Sequence, residues 1–130
     1  QFAFDGNEDN PYLPKNIEGE NWVVYTGTHD NSTSVSWWEC LENNTKKRIK
    51  DEYKFSENPS LSLIKIGMET NANLFIAPIQ DILSLDDKSR LNIPGTTKNN
   101  WKWKINRPLE EIEEDIKRFS ELGKNFGRTR

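Results

Sequence analysis

The segment from Trp22 to Tyr25 limits the folds open to this chain more than any other stretch. Trp22, Val23, Val24 and Tyr25 are consecutively apolar and mostly β-prone, with no polar alternation. A strand with one wet face alternates; a strand covered on both faces, as in parallel sheets, does not. The run breaks at Gly27 and delivers Thr28, the chain's only histidine His29, then Asp30 and Asn31. α/β enzymes present chemistry in this way, on loops at the ends of parallel strands. A plainer reading stands beside it, in which Asp30 or Asn31 caps the following helix and His29 is a buried, hydrogen-bonded side chain.

The remaining pattern supplies a rhythm. Gln1 to Phe4 reads as a short strand, ended by the turn-forming run Asp5 to Pro11. Asn10-Pro11-Tyr12-Leu13-Pro14 is too proline-rich for a helix or a central strand and reads as an ordered loop. Ser32-Thr33-Ser34 can cap a helix through Val35, Trp37, Trp38, Cys40 and Leu41. The mixed charges of residues 43–58 predict a solvated helix face and loop. Pro59 and Ser60 suit a helix start. Leu74 to Ile79 is the third strand candidate, cut at Pro78, and Gln80 to Leu85 continues as a short helix or turn. Pro108 opens the clearest helix, where Leu109, Ile112, Ile116, Phe119 and Leu122 recur at three- and four-residue steps. Its acidic first half and basic second half suit the helix dipole, with Gly123 as the expected stop and residues 127–130 as a tail.

Strands alternating with helices argue for parallel βα units. Three strands neither close a barrel nor cover both faces of a sheet, so the pattern predicts part of a larger α/β protein. The apolar opening at Gln1, without a cap or polar lead-in, fits that expectation.

Composition removes several function classes. Eighteen basic and 21 acidic residues give a formal net charge of −3. There is no global basic field, so no nucleic-acid partner is expected. No run approaches the ~18 apolar residues of a membrane span, so no membrane partner is expected either. Apolar residues make up only 33 % of the chain, yet five Trp, six Phe and three Tyr argue for a folded protein. Cys40 is the only cysteine, which excludes an intrachain disulfide and suits a reducing compartment; cytoplasmic is the expectation. One His and one Cys are too few for a zinc site. No Gly-x-Ser-x-Gly elbow and no glycine-rich phosphate loop occur, so no cofactor is expected.

The candidate residues each carry two readings. Asp30 can stabilise developing positive charge or take part in proton transfer, or it can be a cap. Asn92, just before the rigid Pro94-Gly95 turn, can hydrogen-bond a polyhydroxylated ligand or hold its own backbone as an Asx-turn. Trp101-Lys102-Trp103-Lys104 resembles an aromatic–basic strip, but in an acidic chain it reads as core packing with exposed lysines. Trp37 and Trp38 can form a sugar-stacking platform or belong to the core. Cys40, with no activating base, reads as an inert buried thiol.

Several stretches, in order, resemble the C-terminal part of one enzyme family. They are Gln1-Phe2-Ala3-Phe4-Asp5-Gly6, Asn10 to Pro14, Val23 to Asn31, Trp37-Trp38, Ala77 to Leu83, Arg90 to Thr96 and Asn100 to Trp103. The family is 4-α-glucanotransferase, also called amylomaltase or disproportionating enzyme, glycoside hydrolase family 77. The resemblance spans nearly the whole chain apart from residues 43–58. It implies a (β/α)8 barrel, with Gln1–Phe4, Trp22–Tyr25 and Leu74–Ala77 as strands six to eight and Pro108–Gly123 as the closing helix. Residues 1–130 are then the C-terminal portion of a barrel that needs about 250 residues.

The resemblance further implies retaining transfer of α-1,4-glucan segments between maltooligosaccharides, with no cofactor. It makes Asp30 a catalytic carboxylate that stabilises the transition state, and His29, Asn92 and Phe4 substrate contacts. The family's nucleophile and acid/base lie on earlier strands, upstream of Gln1, so the chain alone is expected to be inactive. Ser32-Thr33-Ser34 replaces a common Asp-Thr-Thr, Leu91 a common Met, and Lys102 and Lys104 stand where Arg is usual. None of these changes removes a catalytic group. The alternative from another class is a non-catalytic glucan-binding module that uses the tryptophans as its platform.

Overall fold

The computed structural model describes residues 1–128; Thr129 and Arg130, from the expected tail, lie outside the described residues. Two short parallel strands, β1 (Val23–Tyr25) and β2 (Leu74–Ile76), are joined by three helices. These are α1 (Ser34–Cys40), α2 (Asn43–Tyr53) and α3 (Pro59–Glu69). After β2 come a single turn, α4 (Ile79–Ile82), a 3-10 turn at Asp87–Ser89, a long loop, and α5 (Leu109–Asn125). Parallel pairing requires such a crossover, because a hairpin cannot return the chain in the same direction.

The helices start where local chemistry predicts. Thr33 caps α1, its hydroxyl accepting from the Ser36 amide. Asn58 caps α3 through the Leu61 amide, with Pro59 at the first helical position, where its missing N–H goes unused. α5 runs past the expected stop at Gly123. It ends in a Schellman turn at Gly127 (φ +67°), where the Arg128 amide donates to the Gly123 carbonyl and the Gly127 amide to Lys124. Arg128 is no loose tail: its guanidinium donates to the carbonyls of Met68, in the last turn of α3, and of Thr70 and Ala72 just beyond it.

Residues 1–4 do not form the expected strand; Phe2–Phe4 is a 3-10 turn. The Phe4 amide closes onto the Gln1 carbonyl, and Asn10 Nδ2 donates to the Phe2 carbonyl, so three groups that a sheet ladder would use are satisfied locally. The sheet of the described residues therefore has two strands, not three.

Registry puts Val23 beside Leu74, Val24 beside Phe75 and Tyr25 beside Ile76. Val24 and Phe75 face the helices. Phe75 lies so close to α3 that a Cβ added at Gly67 would sit 2.2 Å from its ring, so glycine is what lets helix and sheet approach. Val23, Tyr25, Leu74 and Ile76 form the opposite face, each about half exposed. The continuous apolar run is thus covered on one face only among the described residues.

The core is centred on Ile49, Phe55 and Leu63, with Phe4, Trp37, Trp38, Leu41, Tyr53 and Ile66 packed around it. The charged stretch 43–58 is mostly solvated, as expected, but it contributes Ile49 and Phe55 as anchors, each stabilising by about 1.5–3 kcal/mol on burial. Trp38 stacks on Phe55 at 4.6 Å, in accord with the core reading of the tryptophan pair. Cys40 is exposed at the end of α1, contrary to the buried thiol expected. No helix among the described residues is long and apolar enough to cross a membrane.

Candidate functional site

Because β1 and β2 run in parallel, the loops that follow them leave from the same edge of the sheet. The first carries Thr28 to Ser32, the second Arg90 to Trp101. Their meeting forms the candidate site.

The first loop is held by its own side chains. Asn31 Oδ1 accepts from the Thr28 amide at 2.8 Å and from its hydroxyl at 3.0 Å, and Thr28 Oγ1 accepts from the Asp30 amide at 3.3 Å. Asn31 is therefore committed to the turn. Asp30 is not the helix cap, since Thr33 has that role, and His29 is half exposed rather than buried. Neither element of the plainer reading is present. Asp30 Oδ1 lies 3.3 Å from His29 Nε2 and accepts from Asn92 Nδ2 at 2.6 Å. Among the described residues only this carboxylate oxygen has such neighbours.

Asn92 reaches across to Asp30 instead of holding its own turn. That structural task belongs to Asn100, whose Oδ1 accepts from the Ile93 amide and whose Nδ2 donates to the Thr96 carbonyl. The side chains of His29, Asp30 and Asn92 thus come together. Phe4 is not among them. Its ring packs on Trp37 at 5.7 Å and edge-on to Tyr53 at 5.4 Å, in the aromatic cluster beneath the helices. Burial in that cluster, with Glu52 beside it, pushes the Tyr53 phenol up to about 12.

Four residues that the sequence did not assign to the site shape it. Arg90 joins the two loops: Nη2 donates to the Asp30 carbonyl at 2.7 Å, and Nη1 to Ser32 Oγ at 3.2 Å and Asp87 Oδ2 at 3.4 Å. Its Nε donates to the Asn92 carbonyl at 2.9 Å. A planar fork with five donors suits several acceptors at fixed angles, as a lysine would not. Asp81, only 2 % exposed, lies behind the first loop. Its carboxylate accepts from Thr26 Oγ1 after β1, and from the Ser34 amide at 2.8 Å and hydroxyl at 2.7 Å at the start of α1. Asp87 completes the frame, accepting from the Thr33 amide at 2.8 Å while its own amide donates to Ser36 Oγ at 3.0 Å. The carboxylates of Asp81 and Asp87 are thus engaged by the framework, and Asp30 is the one half-exposed to solvent.

The fourth is Trp101. It is 61 % exposed, not core, and its ring lies 4.9 Å from that of His29. Its backbone is left-handed (φ +61°), which for a bulky residue costs on the order of 1–2 kcal/mol. The Trp101 amide donates to the Leu91 carbonyl at 2.6 Å, which pins the loop in that shape. Among the described residues no cluster of His, Cys, Asp and Glu could hold a metal ion.

Comparison with known proteins shows the family. The family model described as 4-alpha-glucanotransferase matches residues 1–110. The chloroplastic/amyloplastic 4-alpha-glucanotransferase of Solanum tuberosum is 37 % identical over 132 aligned positions, covering 98 % of this chain and 23 % of that protein. The Clostridium butyricum 4-alpha-glucanotransferase is 41 % identical over 127 positions, covering 94 % of this chain and 26 % of its own. A solved structure, amylomaltase from Streptococcus agalactiae in complex with acarbose, superposes with a TM-score of 0.86 at 27 % identity. That match covers 99 % of this chain and 26 % of the other. The chain spans about a quarter of the length of the relatives it matches. On the family match and these relatives, the chain belongs to the 4-alpha-glucanotransferase family, glycoside hydrolase family 77.

Proposed function

We propose that this chain is the part of a 4-α-glucanotransferase that supplies the transition-state carboxylate, Asp30, to a retaining transfer of α-1,4-glucan segments. The observation that carries the reading is Asp30 itself: a half-exposed carboxylate, fixed through Oδ1 by Asn92 from the facing loop, at the strand-end edge of a parallel sheet. This is where (β/α)8 enzymes keep their chemistry. The bare apolar face of Val23, Tyr25, Leu74 and Ile76 supports placing β1 and β2 as strands seven and eight of such a barrel, with that face toward its interior.

In the reaction the donor's C1–O4 bond breaks and a bond from C1 to an acceptor hydroxyl oxygen forms. The acceptor's proton ends on the oxygen released. Retention requires a nucleophile and an acid/base about 5–5.5 Å apart. Asp81 and Asp87 are engaged by structural donors, which supports assigning both roles to residues outside this chain. Asp30 Oδ2, which has no partner among the described residues, accepts from hydroxyls of the reacting sugar. Those bonds strengthen as C1 becomes oxocarbenium-like, and a fixed carboxylate needs no reorganisation to make them. His29 and Asn92 hydrogen-bond the same sugar while they orient Asp30.

Phe4, the fourth expected substrate contact, stays an acceptor-side assignment that its packing against Trp37 and Tyr53 does not favour. The binding-module reading uses the tryptophans as a platform; of these, Trp37 and Trp38 pack against the core. We keep the cytoplasm as the expected compartment on the single cysteine; the plant relatives carry chloroplastic/amyloplastic names. Glucose release from maltotriose tests the function. The full-length protein should release it, Asp30→Asn should lower the rate at least about a hundredfold, and the 130-residue chain alone should release none. Near-wild-type turnover by Asp30→Asn would overturn the assignment.

A further inference from the structure

The tryptophan at the rim of the site combines two features. Trp101 is exposed where the two loops meet, with its ring against His29. It adopts a left-handed backbone that only glycine, asparagine and aspartate tolerate readily. Neither property contributes to the core, and both persist because Asn100, Leu91 and the Gly95 turn hold the loop. Strain maintained by a surrounding framework, in a ring that touches a residue of the site, points to a ligand. Its place defines which ligand. The Trp101 ring abuts His29, which neighbours Asp30, and Asp30 is bonded to Asn92. An apolar flat surface therefore continues directly into a row of hydrogen-bonding groups.

We infer that Trp101 is a stacking platform for a pyranose ring of the glucan, one position along from the sugar held by Asp30, His29 and Asn92. The inference rests on the transferase reading above. A pyranose has an apolar face of axial C–H groups and a polar equatorial edge. It matches an indole bordered by donors and acceptors, in the way that aromatic side chains with one wet edge serve amphipathic ligands.

The test uses the full-length protein with acarbose as the titrant, because binding can be read without turnover. Trp101→Gly removes the ring and fits the left-handed backbone. It should weaken acarbose binding about tenfold or more and raise the KM for maltotriose by a similar factor, with kcat little changed. Trp101→Phe keeps a flat ring and should stay within about threefold of wild type. Unchanged acarbose affinity in Trp101→Gly would overturn the inference, as would a fall in kcat at constant KM, which marks a residue that only positions His29. The transferase reading fails separately: wild-type protein that binds acarbose but does not disproportionate maltotriose would reject the reaction while the titration still decides the platform.

Discussion

Replacing Asp81 gives the sharpest view of how the site is supported. Its carboxylate accepts three hydrogen bonds, from the Thr26 hydroxyl and from the amide and hydroxyl of Ser34. The donors are as buried as Asp81: Ser34 is 0 % exposed and Thr26 4 %. Asp81→Ala leaves all three without a partner in a space that water reaches poorly. An orphaned buried donor costs roughly 1–3 kcal/mol, and two of the three are hydroxyls that can turn elsewhere, so the sum is about 3–6 kcal/mol. Asp81→Asn keeps the shape and the acceptor for the Ser34 amide. It loses charge assistance on the hydroxyl bonds and a favourable charge at the start of α1, together about 1–3 kcal/mol.

These losses fall on the segment that carries His29 and Asp30, between the two gripped residues. Hydrogen exchange of residues 26–36 in the full-length protein reads them locally. Exchange should quicken about tenfold in Asp81→Asn and a hundredfold or more in Asp81→Ala, with α2 unchanged. Equal effects of the two variants, or a change spread evenly into α2, would refute the reasoning that Asp81 acts as a local acceptor.

Two further outcomes follow from single contacts. Arg90→Lys should lower kcat for maltotriose about tenfold or more with little change in melting temperature. One ammonium cannot serve the carbonyls of Asp30 and Asn92 together with Ser32 and Asp87; a wild-type rate would remove Arg90 from the account. Gly67→Ala should destabilise by about 1–3 kcal/mol in urea unfolding, because the new methyl meets the Phe75 ring at 2.2 Å. Adding Phe75→Leu should recover part of the loss, and no loss in the single variant would contradict the close helix–sheet approach.

The legible parts of this chain were those written over short spans. The strand before Gly27, the cap at Thr33, the helix start at Pro59 and the helix after Pro108 each depend on neighbours within a few residues. Residues 1–4 have the composition of a strand, but strand formation needs a partner, and the Asn10 side chain supplies a local alternative. The supports of the site were invisible for another reason. Arg90 lies 60 residues from Asp30, and Asp81 55 from Thr26, so no spacing rule connects them. Trp101 was misjudged because alternation with lysine predicts a half-buried ring, whereas its exposure follows from the way Asn100 and Leu91 set the loop. His29, Asp30 and Asn92 were found by resemblance; the pattern of residues alone left each between a structural and a functional role.

The central claim is that Asp30 stabilises the transition state of glucan transfer while contributing little to the fold. Single-turnover and steady-state rates of maltotriose disproportionation by full-length Asp30→Asn, with acarbose affinity and melting temperature measured alongside, address it most directly. The account predicts a rate loss of at least about a hundredfold with the melting temperature within a few degrees of wild type. Near-wild-type turnover in the folded variant would contradict it.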